Sequence, residues 1–288
     1  MLDELRHFLL IVENGTFTEA ARRAHLSQPA LTASIRRLED LHGARLFHRG
    51  RGGTSLTAEG RALLPSARTA LAAVETGRRA VAEVAGLRAG EVRIGAGATA
   101  CTYLLPPFLA AFRKKYPGVR LHLREATTPM VIEALAGGQL DLGIVTHPDG
   151  EPWFSDELIL IAAPSSDTSH APFLTFPRGA TSRDLFDRHF PSANIVMELG
   201  SISAVKGNVR AGIGMALVSR SAVQADVLAG RLVEVPHKAT PITRMLSILH
   251  QGVDRLSPSA SALRRLLLEK GLPLTPKSNK RPPSGKKR

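Results

Sequence analysis

A chain of 288 residues has room for two or three domains, and a hydrophobic content of 43% is enough for real cores. Its formal net charge of +13 favours an acidic partner, nucleic acid or a membrane surface. A single cysteine, Cys101, excludes an intrachain disulfide and a cysteine-rich metal site. No run reaches the ~18 apolar residues that a membrane span needs. Met1-Leu2-Asp3-Glu4 opens without a basic or apolar signal region, so a soluble, cytoplasmic chain is expected.

In chain order, Leu2, Leu5, Phe8, Leu9 and Val12 mark a first helix that Asn14-Gly15 ends. Phe17 to Arg49 then reads as two short helices joined by a tight turn. Thr18 is the expected N-cap of Glu19 to His25, and Ser27 that of a second helix with Pro29 in its first turn. Leu31, Ile35, Leu38 and Leu41 fall on one stripe of that second helix, which is therefore its expected buried face. Opposite lie Pro29, Thr32, Ala33 and Arg36, with Arg37 toward the edge and Gln28 projecting from the first turn. Short side chains near the start allow close approach to a DNA major groove, where Gln and Thr read base edges and Arg grips phosphate or guanine. Leu46 to Arg49, the turn Gly50 to Gly53 and Thr54 to Leu56 form a small wing bearing Arg49 and Arg51. From Thr18 to Arg51, seven Arg stand against Glu19, Glu39 and Asp40, a balance of 7 − 3 = +4. An ordinary helical hairpin would share the helical pattern; the wing and its charge favour DNA.

The run AARRAHLSQPALTASIRRLEDLHGARLFHR resembles the winged helix-turn-helix of LysR-type transcriptional regulators. The resemblance implies double-stranded DNA as partner, and the residues expected to contact it are Thr18, Ser27, Gln28, Pro29, Thr32, Ala33, Arg36, Arg37, Arg49 and Arg51.

Thr57 then caps a helix expected from Ala58 to Leu87. Its apolar positions, Leu64, Ala67, Leu71, Val74, Val81 and Ala85, follow 3-4 spacing with Arg78 interrupting, a seam suited to packing between subunits. A helix lying against its own chain is the alternative; the resemblance implies self-association as a dimer or tetramer. Arg88-Ala89-Gly90 reads as a hinge. Strands at 91–96, 119–125 and 140–146 alternate with helices at 103–116 and 129–136. A second cycle follows: strands at 173–176, 195–198 and 213–218 with helices at 182–189 and 203–211, then strands at 232–235 and 243–249 and a helix at 259–270. This alternation implies a mostly parallel sheet.

The expected fold is therefore a multidomain α+β chain. Residues 1–57 form the winged helix-turn-helix, 58–90 the linker helix and hinge, and 91–270 a periplasmic-binding-protein-like effector domain. Its first lobe is 91–163 with 240–270, its second 164–239, and 271–288 is a basic disordered tail. ALAGGQLDLGIV and VRAGIGMALVSR resemble repeating segments of the family's effector domain, so the resemblance runs from about Leu2 to Lys270.

Gly95-Ala-Gly97-Ala-Thr-Ala100 follows a strand and opens a helix, as a dinucleotide fingerprint does, with Glu125 ending the next strand. An NAD(P)- or flavin-binding enzyme is therefore the main rival reading. Against it stand Leu104-Leu105-Pro106-Pro107 in the following helix and the helix-turn-helix ahead. Gly212-Ile-Gly214 reads as close packing of strand on helix. No His/carboxylate metal spacing, nucleophile elbow or Cys/His pairing stands out, so no cofactor, metal or catalytic activity is expected. A plain solute-binding protein would not need the helix-turn-helix.

Thr99, Ala100, Cys101 and Thr102 place hydroxyls and backbone N–H groups at a helix N-terminus. Thr127 and Thr128 do so before the next helix, where Thr128 is a competent N-cap. With Thr146 and Phe176 at strand ends and Ser201-Ile202 opening a helix of the other lobe, these residues would line one cleft for a small-molecule effector. The resemblance places Thr99 and Thr128 at the family's usual hydroxyl positions and Thr146 where some relatives carry a basic residue.

Overall fold

The computed structural model describes residues 1–50, 53–84 and 90–270. Arg51 of the wing, Ala85 of the seam, Arg88 and Ala89 of the hinge and the basic tail lie outside the described residues.

Helix α1 (Leu2–Asn14) closes on Gly15, whose left-handed φ of 71° ends it without a Cβ clash. Helix α2 (Phe17–Arg23) begins one residue before the expected cap. Its N-cap is Thr16, not Thr18: Thr16 is extended and its hydroxyl accepts the Glu19 N–H at 3.2 Å. Phe17 is thereby drawn into the core, and Thr18 stays exposed on the first turn. Helix α3 (Gln28–His42) is capped by Ser27, which accepts the Ala30 N–H.

Leu31, Ile35 and Leu38 are buried against Leu5, Phe8, Ile11, Phe17 and Ala20. Leu41 is not part of that stripe and is 62% exposed. It sits about 80° round the helix from Leu31 at 100° per residue, a position that this core does not cover. Glu39 is buried instead, because its carboxylate accepts the buried Leu46 N–H at 2.8 Å. Strands β1 (Phe47–Gly50) and β2 (Gly53–Leu56) pair antiparallel from Phe47↔Leu56 to Gly50↔Gly53. The Thr54 N–H donates to the Gly15 carbonyl, tying the wing to the turn after α1.

Helix α4 (Ala58–Val84) starts at Thr57, whose hydroxyl accepts the Gly60 N–H at 2.9 Å and donates to the Arg45 carbonyl at 2.8 Å. The expected seam divides in two. Leu64, Ala67 and Leu71 pack on the N-terminal core of their own chain, whereas Val74 and Val81 are 38% and 70% exposed.

The C-terminal part runs β3 (Glu91–Ala96), a π-turn (Ala100–Leu104), α5 (Pro106–Lys115), β4 (Arg120–Glu125), α6 (Thr128–Ala136) and β5 (Leu142–Val145). Then come β6 (Glu151–Ala162), β7 (Phe173–Thr175), α7 (Thr181–His189), β8 (Ile195–Glu198), α8 (Ile202–Arg210) and β9 (Met215–Ser219). Helix α9 (Arg220–Leu228), β10 (Val233–Val235), β11 (Ile242–Leu249) and α10 (Pro258–Lys270) complete it. The sheet order is β4-β3-β5-β11-β6-β9-β7-β8, with β10 on β6.

Parallel pairing is confined to the two ends, β4-β3-β5 and β9-β7-β8. The middle is antiparallel: β11 pairs β5 and β6, and β6 pairs β9 and β10. The sheet is therefore mixed rather than mostly parallel, because the twelve-residue β6 and the eight-residue β11 cross between the ends. Sequence reading missed β6 altogether. Its second half, Leu158 to Ala162, is buried on both faces and shows no alternation. Helix α9 was also missed.

Gly214 owes its place to strand-on-strand packing, not strand on helix. A Cβ there would lie 2.3 Å from the Pro172 carbonyl oxygen, which accepts the Met215 N–H at 2.8 Å. Gly214→Ala should lower the urea unfolding free energy by about 1–3 kcal/mol, the usual cost of forcing an extra methyl into a packed site. An unchanged midpoint would show that the β7–β9 contact gives way.

Candidate functional site

The outer face of α3 is bare. Gln28, Pro29, Ala33 and Arg36 are exposed and Thr32 is half-buried. Neither the Gln28 nor the Arg36 side chain has a hydrogen bond or ion pair among the described residues. Arg37 differs: its Nε lies 3.1 Å from Glu4 Oε1 on α1. Glu4 also meets the terminal ammonium, and these cations help hold its carboxyl down at about 2. Arg22 and Arg23 are engaged by Glu19. Ser27 is committed to its cap. Arg49 pairs through its backbone with Thr54; its side chain, like all of Arg51, lies outside the described residues.

A cavity of about 350 Å³ opens between the two ends of the large sheet. Thr99, Ala100, Thr128, Thr146, Phe176, Ser201 and Ile202 line it, as the sequence suggests. Cys101 and Thr102 do not. In the π-turn the Cys101 thiol points back to the Ala96 carbonyl at 3.4 Å, and burial, helped by Glu125, pushes its pKa up to about 11. Thr102 is exposed to solvent. Thr128 is also not a cap: Thr127 holds the N-cap position, and the Thr128 hydroxyl instead lies 3.3 Å from Thr181 Oγ1 at the start of α7.

Sequence reasoning missed the floor of this cavity. Arg244, on β11, is 8% exposed and grips the fully buried Asp156 of β6, with Nη2–Oδ2 2.7 Å and Nε–Oδ2 2.9 Å. Arg244 Nη2 also donates to Thr99 Oγ1 at 3.0 Å, and the Ser219 hydroxyl donates to the other Asp156 oxygen at 2.7 Å. Arg244 among the apolar residues of ITRMLSIL and Asp156 within EPWFSDELILIA were the available signals. Above this floor the N-termini of α6, α7 and α8 converge, bringing Thr127, Thr128, Thr181, Ser182 and Ser201 to the cavity. Ser201 caps α8 through the Ala204 N–H. The Thr146 hydroxyl is buried with no hydrogen-bond partner among the described residues, a costly state for a polar group. Glu125 and Arg178 stand exposed at the rim, neither in an ion pair among the described residues. Hydroxyls and helix N-termini together offer donors to a ligand rich in acceptor oxygens.

His7 of α1 sets its Nδ1 2.7 Å from Ser34 Oγ on the inner side of α3. Burial lowers its pKa, against the pull of Asp3 and Glu4. The unfolded chain therefore takes up a proton near pH 6.5 that the folded chain resists. Stability is complete above that pH and falls as pH drops through it. Urea unfolding at pH 7.5 and 5.5 should show this loss in wild type and a smaller one in His7→Gln; equal losses would clear His7 of the role.

Two family models match the chain: "Bacterial regulatory helix-turn-helix protein, lysR family" over residues 2–61, and "LysR substrate binding domain" over residues 85–271. An uncharacterized HTH-type transcriptional regulator, YeiE of Escherichia coli (strain K12), is 31% identical, with 92% of this chain and 95% of the relative covered. CfxR, an HTH-type transcriptional regulator of Cupriavidus necator, is 28% identical over 93% and 91%. Among solved structures, a full-length OxyR variant from Pseudomonas aeruginosa matches with a TM-score of 0.70 at 23% identity, covering 93% of each chain. Full-length CbnR complexed with its target DNA matches with a TM-score of 0.65 at 21% identity, covering 93% and 98%. These two likenesses bear on the fold alone.

Proposed function

The chain belongs to the LysR family of transcriptional regulators, with that family's DNA-binding and effector-binding parts, and we propose that the bare face of α3 reads its operator while the cavity takes the effector. Gln28 and Arg36 contact base edges. Ser27, Pro29, Thr32 and Ala33 let the helix approach closely, and Thr18, Arg49 and Arg51 contact the flanking backbone, with Arg37 a weaker contact because Glu4 shares its charge. The observation that carries this reading is the pairing state of two adjacent arginines: among the described residues the Arg36 guanidinium has no partner, and Arg37 is held by Glu4. Residues 1–57 form the DNA-binding unit, 58–90 the linker and hinge and 91–270 the effector unit, with lobes at 91–163 plus 240–270 and at 164–239. Its work is regulation rather than catalysis, carried out in the cytoplasm, where the DNA is.

Arg36→Ala should weaken specific operator binding by about 1–3 kcal/mol, read by fluorescence anisotropy at physiological salt. Arg37→Ala should cost clearly less, since its charge is already spent on Glu4. Wild-type affinity in Arg36→Ala would remove Arg36 from the interface.

Self-association uses the exposed half of α4. Val81→Asp would place an unpaired charge in a helix–helix interface, and sedimentation should show the oligomer dissociating. Leu71→Asp is a poor probe, because Leu71 packs on the core of its own chain. Val81→Asp sedimenting as wild type would move the interface elsewhere.

For the cavity, Thr146→Val is a cleaner probe than Thr99→Val, which would strip Arg244 of an acceptor. A reporter for the regulated promoter should respond to effector about tenfold more weakly in Thr146→Val, with operator binding intact, since a hydrogen bond to a charged group is worth about 1.5–3 kcal/mol. An overlaid dose–response curve would take Thr146 out of the site.

A further inference from the structure

Helix α6 touches two things that a regulator must connect. Its first turn carries Thr128 and Met130 into the cavity, where Thr128 meets Thr181 from the opposite wall. Its last turn faces the linker helix. The Ala136 carbonyl, an open acceptor at a helix C-terminus, takes the Thr69 hydroxyl of α4 at 2.6 Å and the Gln251 amide at 3.1 Å. One turn earlier Glu133 meets Arg68 of α4 at 3.5 Å.

The contact continues through Gly138. Its φ is +64°, and a Cβ there would stand 1.8 Å from the Ala72 Cβ, so only glycine lets α4 come this close. Thr76, Gly77 and Ala80 of α4 look across a cavity of about 520 Å³ toward Arg93 and Arg255. Among the described contacts, α4 is seated on α6 through the Thr69 hydroxyl, the Arg68–Glu133 ion pair and the close approach of Ala72 to Gly138. Helix α6 itself is firmly bedded. Val131 is fully buried: a Cβ at Gly143 of the sheet would stand 2.6 Å from its Cγ1, and one at Gly95 3.2 Å from its Cγ2. At nine residues, about 13 Å, α6 spans cavity to linker as a short rod that shifts whole rather than bends.

We propose that α6 couples the interlobe cavity directly to the linker helix, with Thr128 sensing the opposite wall and the Ala136 carbonyl and Gly138 seating Thr69 and Ala72. This rests on the cavity being the effector site. A ligand that draws the lobes together changes the Thr128–Thr181 relation, and α4 answers by keeping or losing its seat. By reciprocity, a change in the seat must be felt at the cavity.

The test needs no ligand. In full-length protein carrying Cys101→Ser, Thr128→Cys and Thr181→Cys, dibromobimane bridges the two walls, and its fluorescence reports closure. Hydrogen exchange by mass spectrometry then follows the α4 amides from Thr69 to Gly77. Bridging should change their exchange severalfold, and Thr69→Val should abolish that change. Independently, Gly138→Ala should unseat α4 and speed the same amides roughly tenfold, the worth of about one net hydrogen bond. Ala72→Gly should reverse this, because the left-handed strain stays while the clash is gone. Gly138→Ala should also alter exchange at Thr128 to Val131. Unchanged α4 exchange on confirmed bridging overturns the proposal, as does Gly138→Ala without effect at either end. The effector reading fails separately, on the Thr146→Val response.

Discussion

Leu31, Ile35 and Leu38 hold α3 from one side, against α1 and α2, and leave Gln28, Ala33 and Arg36 facing solvent on the other. A helix that enters a groove can be fixed from behind only, so its support has to be unusually complete. Here Ser27 caps its start, Gly43 closes its end in a left-handed turn, and Glu39 reaches from its flank to the Leu46 N–H before the wing begins. Glu4 draws Arg37 aside. The wing is anchored in turn to the turn after α1, and α4 closes the core from below through Leu64, Ala67 and Leu71. Much of the N-terminal architecture serves to keep one face of one helix exposed.

The effector unit solves a related problem, since a cleft that moves still needs a fixed floor. The two long strands that pass between the sheet's ends supply it. Asp156 comes from β6, Arg244 from β11, Ser219 from the end of β9 and Thr99 from the loop after β3. Each charge is fully matched, which is the condition under which a buried ion pair is tolerated. Above this paired floor, further hydrogen-bonding capacity of the cavity lies at Thr146 and at the three helix starts.

Much of this was legible in the sequence. The 3.6-residue spacing of α1 and α3, the Ser27-Gln28-Pro29 start and the glycine turn of the wing located the N-terminal elements to within a residue or two. Where local signals competed, the reading slipped. Thr16 and Thr18 are both good caps, and the burial of Phe17 decided between them. Leu41 has the right residue type but the wrong angle for the core that is present. The sheet was harder. Strand β6 is buried on both faces where it crosses between the ends, so alternation could not reveal it. Missing β6 also hid Asp156, and Arg244 has meaning only beside it. Cys101 and Thr102 show the same limit in reverse. They adjoin residues that do line the cavity, but a π-turn rotates them away from it, and no spacing rule foretells that.

Selection of DNA from a random-sequence pool by the full-length protein tests the account most directly. A regulator that reads DNA through paired copies of α3 should enrich an interrupted inverted repeat, and replacing Gln28 or Arg36 should change the preferred base at defined half-site positions. A pool without an enriched repeat, or one whose half-sites ignore both replacements, would contradict it.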